Sequence, residues 1–111
     1  MKSESTRYWL WRSAGVCVVL RDRIMLDHRL DLWRHSPTGL EWGYTGTGPA
    51  QTALAILADF LEDDERAVRL HQTFKFALIA PMPTEGGEIT GVRIKEFLRE
   101  AEMERVTGAT G

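Results

Sequence analysis

The sequence predicts a single α+β domain, in which a small antiparallel β-meander of about three strands packs on a buried central helix beside two further helices. Three observations indicate this class. Short apolar segments of strand length crowd the first 30 residues, helical spacing dominates the rest, and 111 residues suffice for one hydrophobic core but not two. We expect one domain over residues 1–111, with an ordered core over roughly residues 7–104 and flexible ends.

The three predicted strands are residues 7–11, 16–20 and 24–30. The turns between them are short and centre on Gly15 and Asp22, as is typical of hairpins. In the third segment alternate residues are apolar, which predicts a half-buried strand. The residues on its apolar face are Ile24, Leu26, His28 and Leu30.

Residues 31–40 contain a Ser-Pro-Thr-Gly turn signal and are predicted to form a loop. A helix is then expected over residues 49–61, because Pro49 suits the first helical position and Gln51 can reach back from the third position to the N-cap. This helix is apolar around most of its surface, which predicts a buried, central position. Its expected polar stripe is Thr52, Asp59 and Glu62.

Two further helices are predicted in the second half of the chain. The first follows an aspartate N-cap in "DDERAVRLHQTFKFALIAP" and stops before Pro81, although the alternation in "FKFALI" leaves a strand at 74–79 open. The second is capped by Thr90. Its apolar face consists of Ile94, Phe97, Leu98 and Ala101.

The glycine-rich segment before the central helix raises the question of a phosphate site, because helix N-termini bind anions. It has no Lys-Ser/Thr pair of a Walker loop and no GxGxxG spacing, and Pro49 removes one backbone donor. We therefore predict a structural loop. Its members are Trp42, Gly43, Tyr44, Gly46, Gly48, Pro49 and Gln51.

No catalytic, cofactor-binding or metal-binding residue is predicted. Cys17 is the only cysteine and lies between two valines in a strand, where we expect a buried, inert thiol. The three histidines, His28, His35 and His71, do not have the spacing of a metal motif. A single cysteine and the absence of a membrane-spanning or signal segment lead us to expect a cytoplasmic protein.

Charge is divided unevenly between the halves of the chain. Residues 1–40 carry seven basic and four acidic residues, whereas residues 41–111 carry seven and twelve. The acidic half suggests a surface that recognises a basic protein partner. The candidate partner-binding residues are Glu96, Glu100, Glu104, Asp63 and Asp64.

The basic first half also holds three of the four tryptophans, Trp9, Trp11 and Trp33, a combination that can bind single-stranded nucleic acid. The candidate residues for this alternative are Arg7, Trp11, Arg12, Arg29, Trp33 and Arg34. Against it, Trp9 and Trp11 point the same way on one strand, and we expect them to supply part of the core.

The segments "EWGYTGTGPAQTALAILADFL", "RAVRLHQTFKFALIAPMP" and "EITGVRIKEFL" together resemble a family of small uncharacterised domains from bacteria, archaea and their viruses. The resemblance covers roughly residues 15–100 and is strongest at Leu40–Tyr44, Gly46–Gln51 and the Phe74–Lys75 pair. It implies no activity. The scatter of the family implies carriage on mobile elements, whose small domains often act by binding another protein.

These observations favour a non-catalytic cytosolic binding module that acts on a protein partner. The resemblance extends this expectation to a phage or mobile-element inhibitor of a host defence complex. Nucleic-acid binding by the Trp-rich first half is the alternative, and self-association as a dimer is left open.

Overall fold

The computed structural model of the protein describes residues 1–36 and 39–110, with side chains described as far as Met103. Over these residues the chain forms an α+β fold, which confirms the predicted class. The elements in chain order are β1 (Arg7–Ser13), β2 (Val16–Arg21), β3 (Ile24–Met25), α1 (Thr47–Leu61), α2 (Asp64–Phe74), a π-helical segment (Lys75–Ile79), β4 (Gly86–Thr90) and α3 (Gly91–Thr110).

The sheet has four antiparallel strands in the order β3-β2-β1-β4, so it contains one strand more than the sequence predicted. The additional strand, β4, pairs with β1 and not with its sequence neighbours. The sequence of β4, GGEIT, did not predict a strand, because glycine weakens a strand pattern. Gly86 is required here, since its φ is +108° and a Cβ would lie 1.9 Å from the Leu10 carbonyl oxygen.

The hairpin turns lie where they were predicted, with positive φ at Ala14, Gly15 and Asp22. The third strand was predicted too long, because it ends at Met25. Arg29 adopts φ +54°, and its backbone N–H donates to the Asp27 carboxylate over 2.7 Å. This local bond gives the backbone an alternative to the sheet ladder, so the alternation of residues 24–30 does not produce a strand.

Helix α1 is buried along nearly its whole length, as predicted, but begins two residues earlier at Thr47. Two expectations about its polar residues were wrong. Gln51 does not cap the helix, since the N-cap residue Gly46 receives no side-chain bond. Thr52 is fully buried and lies outside any exposed stripe, because its hydroxyl bonds the backbone of Glu41.

Residues 74–79 are helical, so the strand alternative is wrong. Asp63 caps α2 by accepting from the Arg66 backbone N–H, and the helix then widens into the π-helical segment. The wider turn shifts the buried positions, so that Lys75 and Ile79 follow Phe74 into the interior. π-Helical turns are rare in proteins, and those that occur are often found at functional sites.

Helix α3 begins as predicted, with the Thr90 hydroxyl accepting from the Arg93 backbone N–H. It contacts the end of α2 through an edge-to-face pair of Phe97 and Phe74, whose ring centroids are 5.0 Å apart. The predicted apolar face is confirmed, because Ile94 and Leu98 are also buried.

A polar contact fixes the end of α1 to the sheet. The Tyr8 hydroxyl donates to the Asp59 carboxylate over 2.6 Å, and Arg21 forms an ion pair with the same oxygen at 2.8 Å. Burial and the bond to Asp59 raise the pKa of Tyr8 far above its ordinary value. The chain start is also attached, since the Lys2 backbone N–H donates to the Phe60 carbonyl.

Candidate interaction surface

The two faces of the sheet have different environments. On the inner face, Tyr8, Leu10, Val19 and Ile89 are at most 3% exposed and form part of the core with α1. Because side chains alternate along a strand, the intervening residues of β1, β2 and β4 point to the opposite, outer face. The large exposed side chains among them form the candidate interaction surface.

The outer face of the sheet is apolar and open. Trp11 is 62% exposed and Trp9 42% exposed, and the register places them beside Val18 and Leu20 of β2. Met25 of β3 extends the row next to Leu20 and is 66% exposed. We call this surface the sheet face; its apolar members are Trp9, Trp11, Val16, Val18, Leu20 and Met25.

The expectation that Trp9 and Trp11 belong to the core is wrong. The helices cover only the face of the sheet that carries Tyr8 and Leu10, whereas Trp9 and Trp11 alternate to the other face. The sequence shows that both tryptophans share a face, but not which face is covered. The tryptophan that does enter the core is Trp42, at 1% exposed.

The sheet face carries almost no net charge. Its basic residue, Arg7, forms an ion pair with Glu88 at 3.0 Å, and the register places both on the outer side. A pair of opposite charges at the margin of an apolar surface is typical of the rim of a protein–protein interface. It does not provide the excess positive charge that phosphate binding requires.

The structure does not gather the candidate nucleic-acid residues into one surface. Arg12 bonds Glu41 and the Thr84 carbonyl on the inner side of β1, and Arg29 forms a two-pronged contact with Asp64 in addition to Asp31. The exposed Trp33 stacks on His35 in the loop before residue 37, and Arg34 is exposed beside it. Of the six candidates, only Trp11 and Arg7 lie on the sheet face.

The acidic candidates are also dispersed. Asp63 caps α2 and Asp64 pairs with Arg29, so both have structural contacts. Glu96 lies 3.7 Å from Arg93 on α3, and Glu100 lines a shallow depression against the π-helical segment. The Glu104 side chain lies outside the described residues.

The glycine-rich segment closes on itself at the start of α1. A Cβ added to Gly48 would lie 2.7 Å from the Glu41 side chain and 2.9 Å from the Tyr44 hydroxyl oxygen. The Tyr44 ring covers Gly46. A carboxylate beside a helix N-terminus is stabilising and opposes the entry of a second anion. The Glu41 and Tyr44 side chains therefore occupy the space beside Gly48 at the start of α1, and the structural loop stays a prediction.

Trp42 and Arg12 tie this loop to the sheet. The Trp42 indole N–H and the Arg12 Nε both donate to the Thr84 carbonyl, over 3.0 and 2.9 Å. The Arg12 guanidinium also lies 5.2 Å from the centre of the Trp42 ring, a cation–π contact. Gly43, which directly follows Trp42, adopts φ +88° and allows the chain to turn there.

Sequence reasoning missed a polar cluster around Glu41. Its carboxylate accepts from Tyr44 and Arg12 at 3.3 and 3.4 Å and lies 3.7 Å from the Cys17 sulfur. Beside it, a cavity of about 310 Å³ opens between Gly15 and Gly39. Cys17 is half-buried, less than predicted, and desolvation is the main cause that raises the pKa of its thiol. Desolvation likewise raises the pKa of Tyr44.

The fold and this surface define a small α+β protein with one covered and one open sheet face. The chain belongs to DUF6166, a family of unknown function, whose model matches residues 8–100. This confirms an uncharacterised domain family. Comparison with curated proteins and with solved structures gave no match. Within the described residues, no helix has both the length and the apolar character needed to cross a membrane.

Proposed function

We propose that this protein is a binding module that docks a protein partner on its sheet face. The observation that carries the proposal is the solvent exposure of Trp9 and Trp11 side by side on a sheet whose other face carries the buried core residues Tyr8, Leu10 and Ile89. Large contiguous apolar surfaces on soluble proteins mark interaction sites. Tryptophan is also among the residues that contribute most to binding at protein interfaces.

The charge of the surface supports a protein over a nucleic acid as the partner. Arg7 is the basic residue of the sheet face and is already paired with Glu88. Stacking on tryptophan alone provides no attraction for the phosphate backbone, which dominates nucleic-acid affinity. The expected titration with a labelled oligonucleotide is therefore flat at low salt, and salt-sensitive binding would favour the nucleic-acid alternative.

Site-specific photo-crosslinking in cells tests the proposal. A photoreactive phenylalanine derivative replaces Trp11 in one variant and Phe76 in the control. The two positions are matched, since Trp11 is 62% and Phe76 60% exposed, but Phe76 lies in the π-helical segment. We expect a discrete crosslinked protein from position 11 and none from position 76.

Equal crosslinking from both positions, or none from position 11, would contradict the proposal. A crosslink between two copies of the chain would instead identify the partner as the protein itself. In the same assay, reversing Glu96 and Glu100 to lysine tests the acidic surface predicted from the sequence. Loss of the position-11 crosslink on this reversal would show that the acidic surface of α3 also contributes to binding.

The family resemblance extends the proposal to a partner in a host defence complex. The resemblance implies carriage on mobile elements, and this expectation supports the extension. Its test is the identity of the protein captured from position 11, followed by a defence assay with the wild-type protein and a Trp9→Ser/Trp11→Ser variant. Only the wild type is expected to suppress defence.

A further inference from the structure

Two histidines that are far apart in the sequence meet in the structure. His35 lies in the loop before residue 37 and His71 lies on α2, and their Nε2 atoms are 2.9 Å apart. His71 is 2% exposed and His35 is half-buried, so the pair has one buried and one accessible member. No motif spacing links them, so sequence patterns do not indicate the pair.

The ring of His71 is oriented by its other nitrogen. Its Nδ1 lies 2.6 Å from the Val68 carbonyl oxygen, which only accepts, so Nδ1 carries the hydrogen. In the neutral ring the lone pair is then on Nε2, where it accepts the 2.9 Å bond from the His35 Nε2–H, so binding of a metal at His35 Nε2 requires that hydrogen to move to His35 Nδ1. A histidine that donates one ring N–H to a backbone carbonyl and presents the other nitrogen is the usual arrangement of a metal ligand.

The ring of His35 is held independently of His71. The Gln51 carboxamide oxygen accepts from the backbone N–H groups of His35 and Ser36, over 2.7 and 3.2 Å, and fixes the loop to α1. On the ring itself, Trp33 stacks at 5.0 Å between centroids with an interplanar angle of 7°. The two imidazoles are therefore brought together by their separate surroundings.

We propose that His35 and His71 bind a divalent metal ion of the zinc class through their Nε2 atoms. Zinc–nitrogen bonds of about 2.0–2.1 Å in a tetrahedral site place two nitrogens about 3.3–3.4 Å apart. Opening the observed separation by about half an ångström meets this requirement. A small rotation of the half-buried His35 side chain supplies this movement, while its backbone stays bonded to Gln51 and His71 stays fixed by Val68.

The site offers two protein ligands, and water completes the coordination. Among the described residues, no group of three or more His, Cys, Asp or Glu side chains converges on one point. Lys75 follows His71 by one helical turn, with its ammonium 4.3 Å from the centre of the Phe76 ring. Its charge opposes a cation, so the affinity is expected to be lower than that of a four-ligand structural zinc site.

Calorimetric titration of chelator-treated protein with zinc chloride tests this site, with cobalt absorption as a second readout. We expect one zinc ion per chain and a rise in melting temperature with zinc concentration. His35→Asn is the test variant because His35 is half-buried, and His28→Asn is the matched control, since His28 is also half-buried. Circular dichroism confirms that both variants are folded.

The expected result is a roughly tenfold or greater loss of zinc affinity in His35→Asn, with His28→Asn unchanged. If His35→Asn does not fold, His35→Cys replaces it, because a thiolate retains zinc binding and shifts the cobalt absorption to higher intensity. Absence of binding at millimolar zinc in the wild type, or equal affinity in wild type and His35→Asn, would overturn the proposal.

Discussion

At the scale of single residues, Glu41 connects the sheet to the start of α1. Its backbone N–H and carbonyl both bond the buried Thr52 hydroxyl, while its carboxylate contacts Arg12 and Tyr44. This arrangement connects the glycine-rich segment to both β1 and α1. It also places a negative and a positive side chain close enough to the Cys17 thiol to affect its pKa.

Cys17 therefore reports the electrostatics of this cluster. Desolvation raises the pKa of its thiol, Arg12 lowers it and Glu41 raises it. We predict that Glu41→Gln speeds alkylation of Cys17 by iodoacetamide at mildly alkaline pH, because removing the carboxylate favours the thiolate. Arg12→Ala is predicted to slow it. Since Cys17 is the only cysteine, the rate is specific, and a change in the same direction in both variants would contradict this account.

Gln51 is a second residue with a measurable structural role. Its buried carboxamide satisfies two backbone N–H groups of the 35–36 loop and donates to the His28 carbonyl over 2.6 Å. Gln51→Ala leaves these groups without that partner, and we predict a loss of about 1–3 kcal/mol in the free energy of unfolding. The control, Gln72→Ala on the exposed face of α2, is expected to change it by less than about 0.5 kcal/mol. Urea denaturation provides the measurement, and equal losses would refute the role of Gln51.

At the scale of elements, β4 closes the sheet against β1 and leads directly into α3. The junction is tight, because the Gly91 backbone N–H donates to the Thr6 carbonyl over 2.7 Å. Residue spacing was sufficient to predict that β1, β2, α1, α2 and α3 exist, and for α1 and α2 the apolar pattern also matches the burial. It was insufficient for β4 and for β3, where glycine content and a local Asp27 bond decide the outcome.

The residue pattern of β1 also could not predict which face of the sheet the helices cover. Trp9 and Leu10 are both strongly apolar, so the pattern of β1 gives no preference for either face. The placement of α1 against Tyr8 and Leu10 is a tertiary event that leaves Trp9 outside. Contacts between residues that are distant in the sequence, such as His35 and His71, cannot be predicted from residue spacing either, because they also depend on tertiary packing.

Gly86→Ala tests the role of β4. At φ +108° an added Cβ would lie 1.9 Å from the Leu10 carbonyl oxygen, so the strand must move away from β1. We predict a loss of roughly 1–3 kcal/mol or more in the free energy of unfolding. Gly15→Asn is the control, because its surroundings are open and asparagine tolerates positive φ. A thermal melt in which both variants match the wild type would contradict the assignment.

At the scale of the whole molecule, stability should respond to pH through the histidine pair. Burial lowers the pKa of both His35 and His71, and the nearby charge of Lys75 lowers both further. The unfolded chain therefore binds protons more readily. Their contribution is complete above about pH 6.5 and is lost as the pH falls toward the lower pKa values of the folded state.

We predict that the free energy of unfolding falls by of order 1 kcal/mol between about pH 7.5 and 5.5. Urea denaturation at the two pH values gives the difference. A His35→Gln/His71→Gln variant should lose most of it. The carboxylates of Asp31 and Glu62, whose pKa values are lowered by Arg29 and by the chain's amino terminus, titrate below this window. An unchanged pH dependence in the double variant would contradict the assignment to the histidines.

The molecule as a whole is a two-layer structure in which the helices cover one side of the sheet and leave Trp9 and Trp11 on the other. The binding role that we propose depends on that open side. The most direct test is calorimetric titration of the protein crosslinked from position 11 into wild type, Trp11→Ala and Glu96→Lys/Glu100→Lys. We predict that Trp11→Ala weakens binding by roughly tenfold or more while the charge reversal has little effect. Unchanged affinity in Trp11→Ala would contradict the proposed role of the sheet face.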